Sequence, residues 1–434
     1  MKPLDYAKLS VLASALALAA CDSSSGGFIA KPGGGGGAGG GGGVGGGGGG
    51  GGIIPTLQYG PAQQSGYGDI RVSGDASKIV FIDDSDPRAE NPNDEFQLFS
   101  LNIGTGEVIQ ITDGSATAVS ALDEFDLTDS GDAVVWVSSS DFTGDNPNNF
   151  DNVFIASTDT GDITQVTDNP GGTLSDPQVS GNGIIVFTSS ADLTGGNAAN
   201  DEQVFSINDD GSNLTQLTTF TVMNPTNLAF ADGGSKIAFD GEGDPAGTNA
   251  DGSREIFIMD VDGGNLAQLT ATASDSLFPK ISDDGSLVAF TTQAEIFGGG
   301  NADGNYEMYV AQSDGSAIVQ ITNNAENSGS FVDGTPGAFN VSGDGSILVF
   351  LSRGDLTGLN RFSTTVFWAA TDGSVIQQLL REGTVPDATY ANENFDADTP
   401  SITNDGLGIV FESTVNYTEG AVPTFQKIYA AIRQ

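Results

Sequence analysis

Two segments of the chain place oxygen-bearing side chains at every second position, a spacing suited to binding a metal ion. Calcium takes about six to eight oxygen ligands, and carboxylates and amides around a glycine turn supply such ligands. Glycines 252 and 304 lie inside the two segments, although the spacing does not complete an EF-hand loop. The candidate metal ligands, with calcium as the candidate cofactor, are Asn249, Asp251, Glu255, Asn301, Asp303, Asn305 and Glu307.

The same pattern also has a simpler explanation. Asn, Asp and Gly close exposed hairpins because their side chains bond to the nearby backbone and tolerate left-handed conformations. The sequence therefore leaves two interpretations open for these segments, a calcium site or solvated hairpin loops.

Composition excludes several kinds of chemistry. The chain has no histidine and one cysteine, Cys21. These counts rule out Ser-His-Asp and Cys-His nucleophile systems, zinc held by His or Cys, and an internal disulfide. With 57 acidic against 14 basic residues, the formal net charge is −43, which repels nucleic acids and anionic lipid headgroups. We expect no nucleic-acid partner.

The N-terminus has the features of an export signal. Lys2 and Lys8 precede an apolar run over residues 9–20, which is too short to span a bilayer. The run ends in Leu18-Ala19-Ala20-Cys21, which resembles the lipobox of bacterial lipoproteins. The resemblance implies that residues 1–20 are a signal peptide, that Cys21 carries a lipid, and that the protein is anchored at the cell envelope. The membrane leaflet stays open.

Residues 21–52 form the next segment. Apart from Ala38 and Val44, residues 33–52 are all glycine, so they bury nothing and have maximal backbone entropy. We expect a flexible linker between the lipid and a folded domain that covers residues 53–434.

That domain repeats one unit seven times. A turn of Ser or Thr, Asp or Asn, and Gly recurs every 50–60 residues or so, each time before a short apolar strand. The seven turns lie near residues 74, 129, 181, 233, 284, 344 and 405. A third strand follows, and then a fourth at residues 108–112, 163–167, 214–218, 266–270, 318–322 and 376–380. Four short strands per unit, without helical periodicity, predict an all-β fold, a β-propeller of seven four-stranded blades.

The repeat resembles a known family. Residues 279–290 read Pro-Lys-Ile-Ser-Asp-Asp-Gly-Ser-Leu-Val-Ala-Phe, residues 307–315 read Glu-Met-Tyr-Val-Ala-Gln-Ser-Asp-Gly, and Gln320-Ile321-Thr322 follows. This unit is similar to the TolB-type repeat of the WD-like propellers. The similarity covers residues 53–434, but the chain has a lipobox, longer loops and no recognisable N-terminal α/β domain. The partner known for the TolB family is therefore not assigned to this chain.

The last unit ends after its third strand. Residues 53–58 form an apolar segment before the first unit, and we expect this segment to supply the missing outer strand. Ring closure of this kind removes an open sheet edge.

The predicted innermost strands carry an aligned polar column. It consists of Arg71, Asp126, Gln178, Ala229, Lys280, Asn340 and Ser401. With one acid in the ring, the column indicates a water-filled channel rather than the acid pair of a glycosidase. The two tryptophans, Trp136 and Trp368, lie in strand patterns and are predicted to be core residues.

These features favour a monomeric, non-catalytic binding module at the cell envelope. Its membrane contact would be the lipid on Cys21, and its long Asp- and Asn-rich loops would contact an envelope protein, a glycan or a cation. The alternative is a carbohydrate hydrolase or lyase that uses carboxylates from the same loops.

Overall fold

The chain builds a ring of seven antiparallel sheets. The computed structural model describes residues 57–59, 67–83, 96–113, 125–245, 247–296, 301, 303–323, 338–352, 356–357, 365–379, 397–413 and 427–433. Each sheet has four strands, which confirms the predicted propeller of seven blades. Within the described residues no helix is long and apolar enough to cross a membrane.

The strands follow one another in chain order, four to a blade. The ring-closing strand and the first three blades contain β1 (Leu57–Tyr59), β2 (Tyr67–Val72), β3 (Lys78–Asp83), β4 (Gln97–Asn102), β5 (Val108–Gln110), β6 (Phe125–Leu127), β7 (Ala133–Ser138), β8 (Asn152–Ser157), β9 (Ile163–Gln165), β10 (Leu174–Val179), β11 (Ile184–Ser189), β12 (Gln203–Asn208) and β13 (Thr215–Gln216). The remaining blades contain β14 (Thr226–Phe230), β15 (Lys236–Gly241), β16 (Glu255–Asp260), β17 (Ala267–Gln268), β18 (Ser276–Ile281), β19 (Leu287–Thr292), β20 (Glu307–Gln312), β21 (Ile318–Gln320), β22 (Phe339–Val341), β23 (Ile347–Ser352), β24 (Thr365–Ala370), β25 (Ile376–Gln378), β26 (Ala397–Ile402), β27 (Gly408–Ser413) and β28 (Lys427–Ile432).

The seventh blade is closed by the N-terminal strand, as predicted. Strand β1 pairs antiparallel with β28, with Leu57 opposite Ala430 and Tyr59 opposite Ile428. The paired strand begins at Leu57, and residues 53–56 lie outside the described part of the chain. The first and last segments of the domain are thus joined by backbone pairing, and the ring has no free edge at this point.

The hydrophobic core lies between the blades. One cluster joins Val80 and Leu98 of the first blade to Trp136 and Phe154 of the second. Both faces of the second strands are therefore covered, which explains their continuous apolar runs. Trp136 is fully buried and Trp368 is 7% exposed, so the prediction that both are core residues is confirmed. Six blades stack an aromatic residue of the second strand on one of the third: Phe81–Phe99, Trp136–Phe154, Phe187–Phe205, Phe239–Phe257, Phe290–Tyr309 and Phe350–Phe367.

The fourth strands are shorter than the sequence predicts. Strand β5, for example, ends at Gln110, because Thr112 turns its hydroxyl onto the neighbouring strand. Thr112 Oγ1 accepts the N–H of Leu98 at 2.9 Å and donates to Gln97 Oε1 at 2.6 Å. Side-chain bonds replace the end of the backbone ladder here. The next four blades repeat this bond. The hydroxyl oxygens of Thr167, Thr218, Thr270 and Thr322 accept, in that order, the N–H groups of Val153, Val204, Ile256 and Met308.

Candidate functional site

The loops between second and third strands emerge on one face of the ring, together with the connections between blades. This follows from the antiparallel order of each sheet, since alternate turns of a meander point in the same direction. A direct contact joins the two kinds of loop: Asn169, between blades, donates from Nδ2 to the carbonyl of Asp151 at 2.8 Å. We call this the loop face. The turns between first and second strands lie on the opposite face.

Four consecutive blades build the same loop around a buried asparagine. In the second blade, Asn146 donates from Nδ2 to the carbonyl of Phe150 at 2.8 Å, and its own N–H is bonded to Asp141 Oδ1 at 3.0 Å. Its carbonyl accepts the N–H of Asn149, which adopts the left-handed conformation at φ 52°. The same amide-to-carbonyl bond recurs from Asn197, Asn249 and Asn301 to Asp201, Ser253 and Asn305.

Asn249 and Asn301 therefore have a structural role whether or not a metal binds. Gly252 and Gly304 occupy the left-handed position of Asn149, with φ of 73° and 70°, and close the same turn. Glu255 likewise occupies the position of Gln97 in the first blade, at the start of the third strand. These local hydrogen bonds agree with the interpretation of the two segments as solvated hairpin loops. They do not involve the carboxylates of Asp251 and Asp303.

In the fourth blade the structure brings three candidate ligands together around a residue that the sequence analysis missed. Ser253 Oγ lies 3.2 Å from Asn249 Oδ1, 3.0 Å from Asp251 Oδ1 and 3.1 Å from Glu255 Oε1. It also lies 2.9 Å from the carbonyl oxygen of Thr272, in the connection to the next blade. Ser253 stands at the alternate position between Asp251 and Glu255, so the spacing that identified the others contained it.

In the fifth blade Asn301 is 3% exposed, and its side-chain oxygen has no hydrogen-bond partner. Its backbone N–H is bonded to Glu295 Oε2 at 2.9 Å. Glu307 is also buried and accepts a hydrogen bond from Thr322 Oγ1. A cavity of about 480 Å³ between the fourth and fifth blades is lined by Glu295, Asn301 and Asp303.

Within the described residues, no three acidic or cysteine side chains are grouped so as to hold a metal ion. Each candidate set contains two carboxylates, and its other oxygens come from amide, hydroxyl or backbone groups. The chain's cysteine, Cys21, lies outside the described residues, as do the proposed signal peptide and the linker.

The polar column lines the central channel, as the sequence predicts. Its seven residues surround a cavity of about 120 Å³ on the axis of the ring. The Arg71 guanidinium lies 5.6 Å from the ring centroid of Phe125, and Asp126 Oδ2 accepts the N–H of Val179 at 2.9 Å. Burial raises the pKa of Asp126, whereas the bond from Val179 and the charge of Arg71 lower it.

A further group of carboxylates lies on the opposite face, where the first-to-second-strand turns meet around the channel. Asp129, Asp232 and Asp283 come from the second, fourth and fifth blades, and Asn404 of the seventh donates to Asp129 Oδ2. Burial, together with the negative charge of Asp129, raises the pKa of Asp232 to about 7 and that of Asp283 to about 8.

The sequence showed these turns only as repeat boundaries, and their grouping into a cluster was not predicted from it. Gly74, Gly181 and Gly343 occupy the corresponding position in the first, third and sixth blades. A Cβ on Gly343 would overlap the carboxylate of Asp283. The alternation of Asp or Asn with Gly at one position of the repeat was the signal that could have revealed the cluster.

No protein-family model and no curated protein matches the sequence. Solved propeller structures are similar in fold. An oligogalacturonate lyase from Vibrio parahaemolyticus has a TM-score of 0.53 at 16% identity, with 88% of this chain and 91% of that one covered. A puromycin hydrolase has a TM-score of 0.52 at 12% identity, with 81% of this chain and 50% of that one covered.

TolB from Acinetobacter baumannii is also similar, with a TM-score of 0.44 at 14% identity and 71% of this chain covered. This chain spans 64% of the length of that TolB. The lyase and the puromycin hydrolase, with TM-scores above 0.5, share the fold of this chain. Identities of 16% and 12% leave the activity to be argued from the site.

Proposed function

We propose that the protein is a non-catalytic binding module of the cell envelope, tethered by a lipid on Cys21. Its loop face contacts an envelope protein or glycan. The propeller is the rigid support, and residues 21–52 are the flexible linker that lets the domain reach its partner.

The observation that carries this proposal is the construction of the loop face. Loops of four consecutive blades are held by the same buried asparagine, so the surface is ordered before any partner arrives. Pre-ordering of this kind reduces the entropic cost of association. Buried side-chain bonds in surface loops also favour a recognition role, because recognition residues concentrate on loops positioned by a rigid scaffold.

Exposed apolar side chains also support the loop face as the contact surface. Four large hydrophobic side chains are exposed among the described residues, and three of them lie on the loop face: Phe96 at 43%, Phe150 at 39% and Val222 at 74%. The fourth, Val375 at 38%, lies on the opposite face, in the turn between β24 and β25. Exposed aromatic and aliphatic groups on an otherwise acidic, polar surface are typical of contact residues.

A glycoside hydrolase, one form of the alternative, needs two carboxyl groups about 5–9 Å apart that flank the scissile bond of the sugar. Asp129, Asp232 and Asp283 lie on the face opposite the long loops. On the loop face, Asp251 Oδ1 and Glu255 Oε1 lie 3.0 and 3.1 Å from Ser253 Oγ, but Glu255 has no exposed surface with which to contact a bound sugar. This arrangement supports the binding module over the enzyme.

The test is photo-crosslinking of the anchored protein in its own envelope, with wild type compared to loop-face variants. We expect Phe150→Ser and Val222→Ser each to reduce the amount of a specific crosslinked product severalfold. Val375→Ser removes a similar apolar group from the opposite face and is expected to leave the product unchanged. Equal products from all four proteins would overturn the assignment of the loop face.

The anchor is tested separately by Cys21→Ala. Without the thiol there is no acceptor for the lipid, so we expect the variant to accumulate as uncleaved precursor or to appear in soluble fractions. Maturation and membrane partitioning identical to wild type would contradict lipidation.

A further inference from the structure

We propose that the fifth-blade loop binds one calcium ion through Asn301, Asp303, Asn305 and Glu307. Four loops of the ring share one arrangement of hydrogen bonds and can be compared position by position. Because the asparagine-centred turn recurs in four blades, corresponding positions are fixed by the shared hydrogen bonds. Side chains that differ at those positions therefore differ for a reason other than loop architecture.

The four loops share the buried asparagine but differ in the side chains at the three alternate positions that follow it. The second and third blades have no carboxylate at the first and third of these positions, whereas the fourth and fifth have one at both. The sets are Asn146, Asn148, Phe150 and Asn152; Asn197, Ala199, Asp201 and Gln203; Asn249, Asp251, Ser253 and Glu255; Asn301, Asp303, Asn305 and Glu307. The second- and third-blade loops form the same turn without carboxylates at these two positions, so the turn does not need the two acids.

The unpartnered oxygen of Asn301 is the observation that points to a ligand in the fifth blade. In the second blade the corresponding oxygen, Asn146 Oδ1, accepts the N–H of Phe150 at 3.2 Å. In the fourth blade Asn249 Oδ1 lies 3.2 Å from the hydroxyl oxygen of Ser253. Asn301 Oδ1 has neither bond, although the residue is 97% buried. A buried acceptor without a donor is unfavourable, and a cation satisfies it as well as a proton does.

The fourth blade shows how the same oxygens are arranged when a hydroxyl lies among them. Ser253 Oγ has four acceptor oxygens within 3.2 Å and one proton to donate. In the fifth blade Asn305 stands at the position of this serine and has a side-chain carbonyl oxygen, which can accept a hydrogen bond but cannot donate one. The fifth-blade loop is thus richer in acceptors than its neighbour, and it borders the cavity of about 480 Å³.

The chemistry of the donors selects the ion. All are oxygens, two from carboxylates and two from amides, and no histidine or thiol is present, so a hard cation is favoured over a transition metal. Calcium accepts irregular sets of such oxygens and completes its shell with water, whereas magnesium requires near-octahedral geometry. The net charge of −43 also concentrates divalent cations near the surface.

The test uses terbium as a luminescent substitute for calcium, on the full chain at constant ionic strength. Tyr306 lies inside the loop and can sensitise bound terbium. We expect saturable emission that calcium displaces, at least tenfold weaker terbium binding in Asp303→Asn, and no change in Asp201→Asn. Asp201 is the matched control, because it lies in the corresponding loop of the third blade and loses the same single charge.

A second measurement separates binding in this loop from binding elsewhere. Tyr306→Phe is expected to abolish most of the sensitised emission while calorimetry shows unchanged calcium affinity. Emission that does not saturate, or that is equal in the Asp303→Asn and Asp201→Asn proteins, would overturn the site and reduce calcium's effect to screening. This test does not involve the envelope partner, so its failure leaves the proposed function intact.

Discussion

Arg254 Nη2 lies 2.6 Å from Oδ1 of Asp240, a carboxylate with no exposed surface. The guanidinium also bonds to the same oxygen through Nε at 2.8 Å. The other carboxylate oxygen, Oδ2, accepts the side-chain amide of Asn227 at 2.8 Å and the backbone N–H of Phe278 at 3.0 Å. Phe278 belongs to β18, the innermost strand of the next blade, so this buried ion pair joins the fourth blade to the fifth.

Loss of the guanidinium should destabilise the ring. Arg254→Met keeps much of the side-chain volume but leaves the charge of Asp240 buried without its cation. We expect the free energy of unfolding to fall by about 3–5 kcal/mol. Equilibrium denaturation with urea measures the change.

Lys236→Met is the matched control for this prediction. Lys236 Nζ lies 2.9 Å from Asp260 Oδ1, but both side chains of this pair are about one-third exposed. We expect a loss of less than about 1 kcal/mol, as for other solvated ion pairs. Equal losses in the two variants would show that the burial of Asp240 is not what makes its pair important.

The aspartates Asp129, Asp232 and Asp283 lie at the end of the channel opposite the loop face. We expect them to make the fold less stable as pH rises. The pKa of Asp232 is raised from 3.8 to about 7 and that of Asp283 to about 8. Between about pH 4 and pH 8 the folded state therefore holds more protons than the unfolded state, and the free energy of unfolding decreases with pH. With allowance for solvent screening, we expect a loss of roughly 1–2 kcal/mol from pH 5 to pH 9.

Asp283→Asn tests the origin of this pH dependence, because asparagine cannot ionise. The variant should lose about half of the pH slope measured in denaturation series between pH 6 and pH 9. Asp314→Asn is the control: hydrogen bonding to Ser316 lowers the pKa of Asp314, so this group is ionised in both states throughout that range. If the pH slope of Asp283→Asn matches that of wild type, these aspartates are not the source of the pH dependence.

Ring closure predicts a large effect from a short deletion. Removal of residues 53–59 takes away β1 and exposes the edge of β28, on the last blade. We expect the free energy of unfolding to fall by several kcal/mol, because the edge loses its pairing and the ring its closure. Thermal denaturation measures the loss. Deletion of the seven glycines 45–51 shortens the chain equally within the linker, and it should leave the melting midpoint unchanged.

The sequence alone predicted the blades, the closing strand and the channel residues. These features depend on short-range patterns: turn residues at fixed offsets, apolar runs of strand length, and a unit repeated often enough for its positions to be compared. Once the units align, the position of Arg71 corresponds to that of Lys280, and a ring places all such positions around its axis. The buried asparagine loops follow from the same alignment, although their hydrogen bonds were not foreseen.

Contacts between residues of different blades were decided by the tertiary structure. Asp129, Asp232 and Asp283 are far apart in the chain and meet because the first strands line the channel, so that their turns to the second strands lie at one end of it. Asp240 reaches the backbone of Phe278 because the first strand of the fifth blade has an irregular register between Leu277 and Lys280. The lack of a partner for Asn301 Oδ1 likewise depends on where neighbouring donors lie. Repeat patterns specify which residues are equivalent, whereas distances, burial and pKa values depend on how the blades pack against one another.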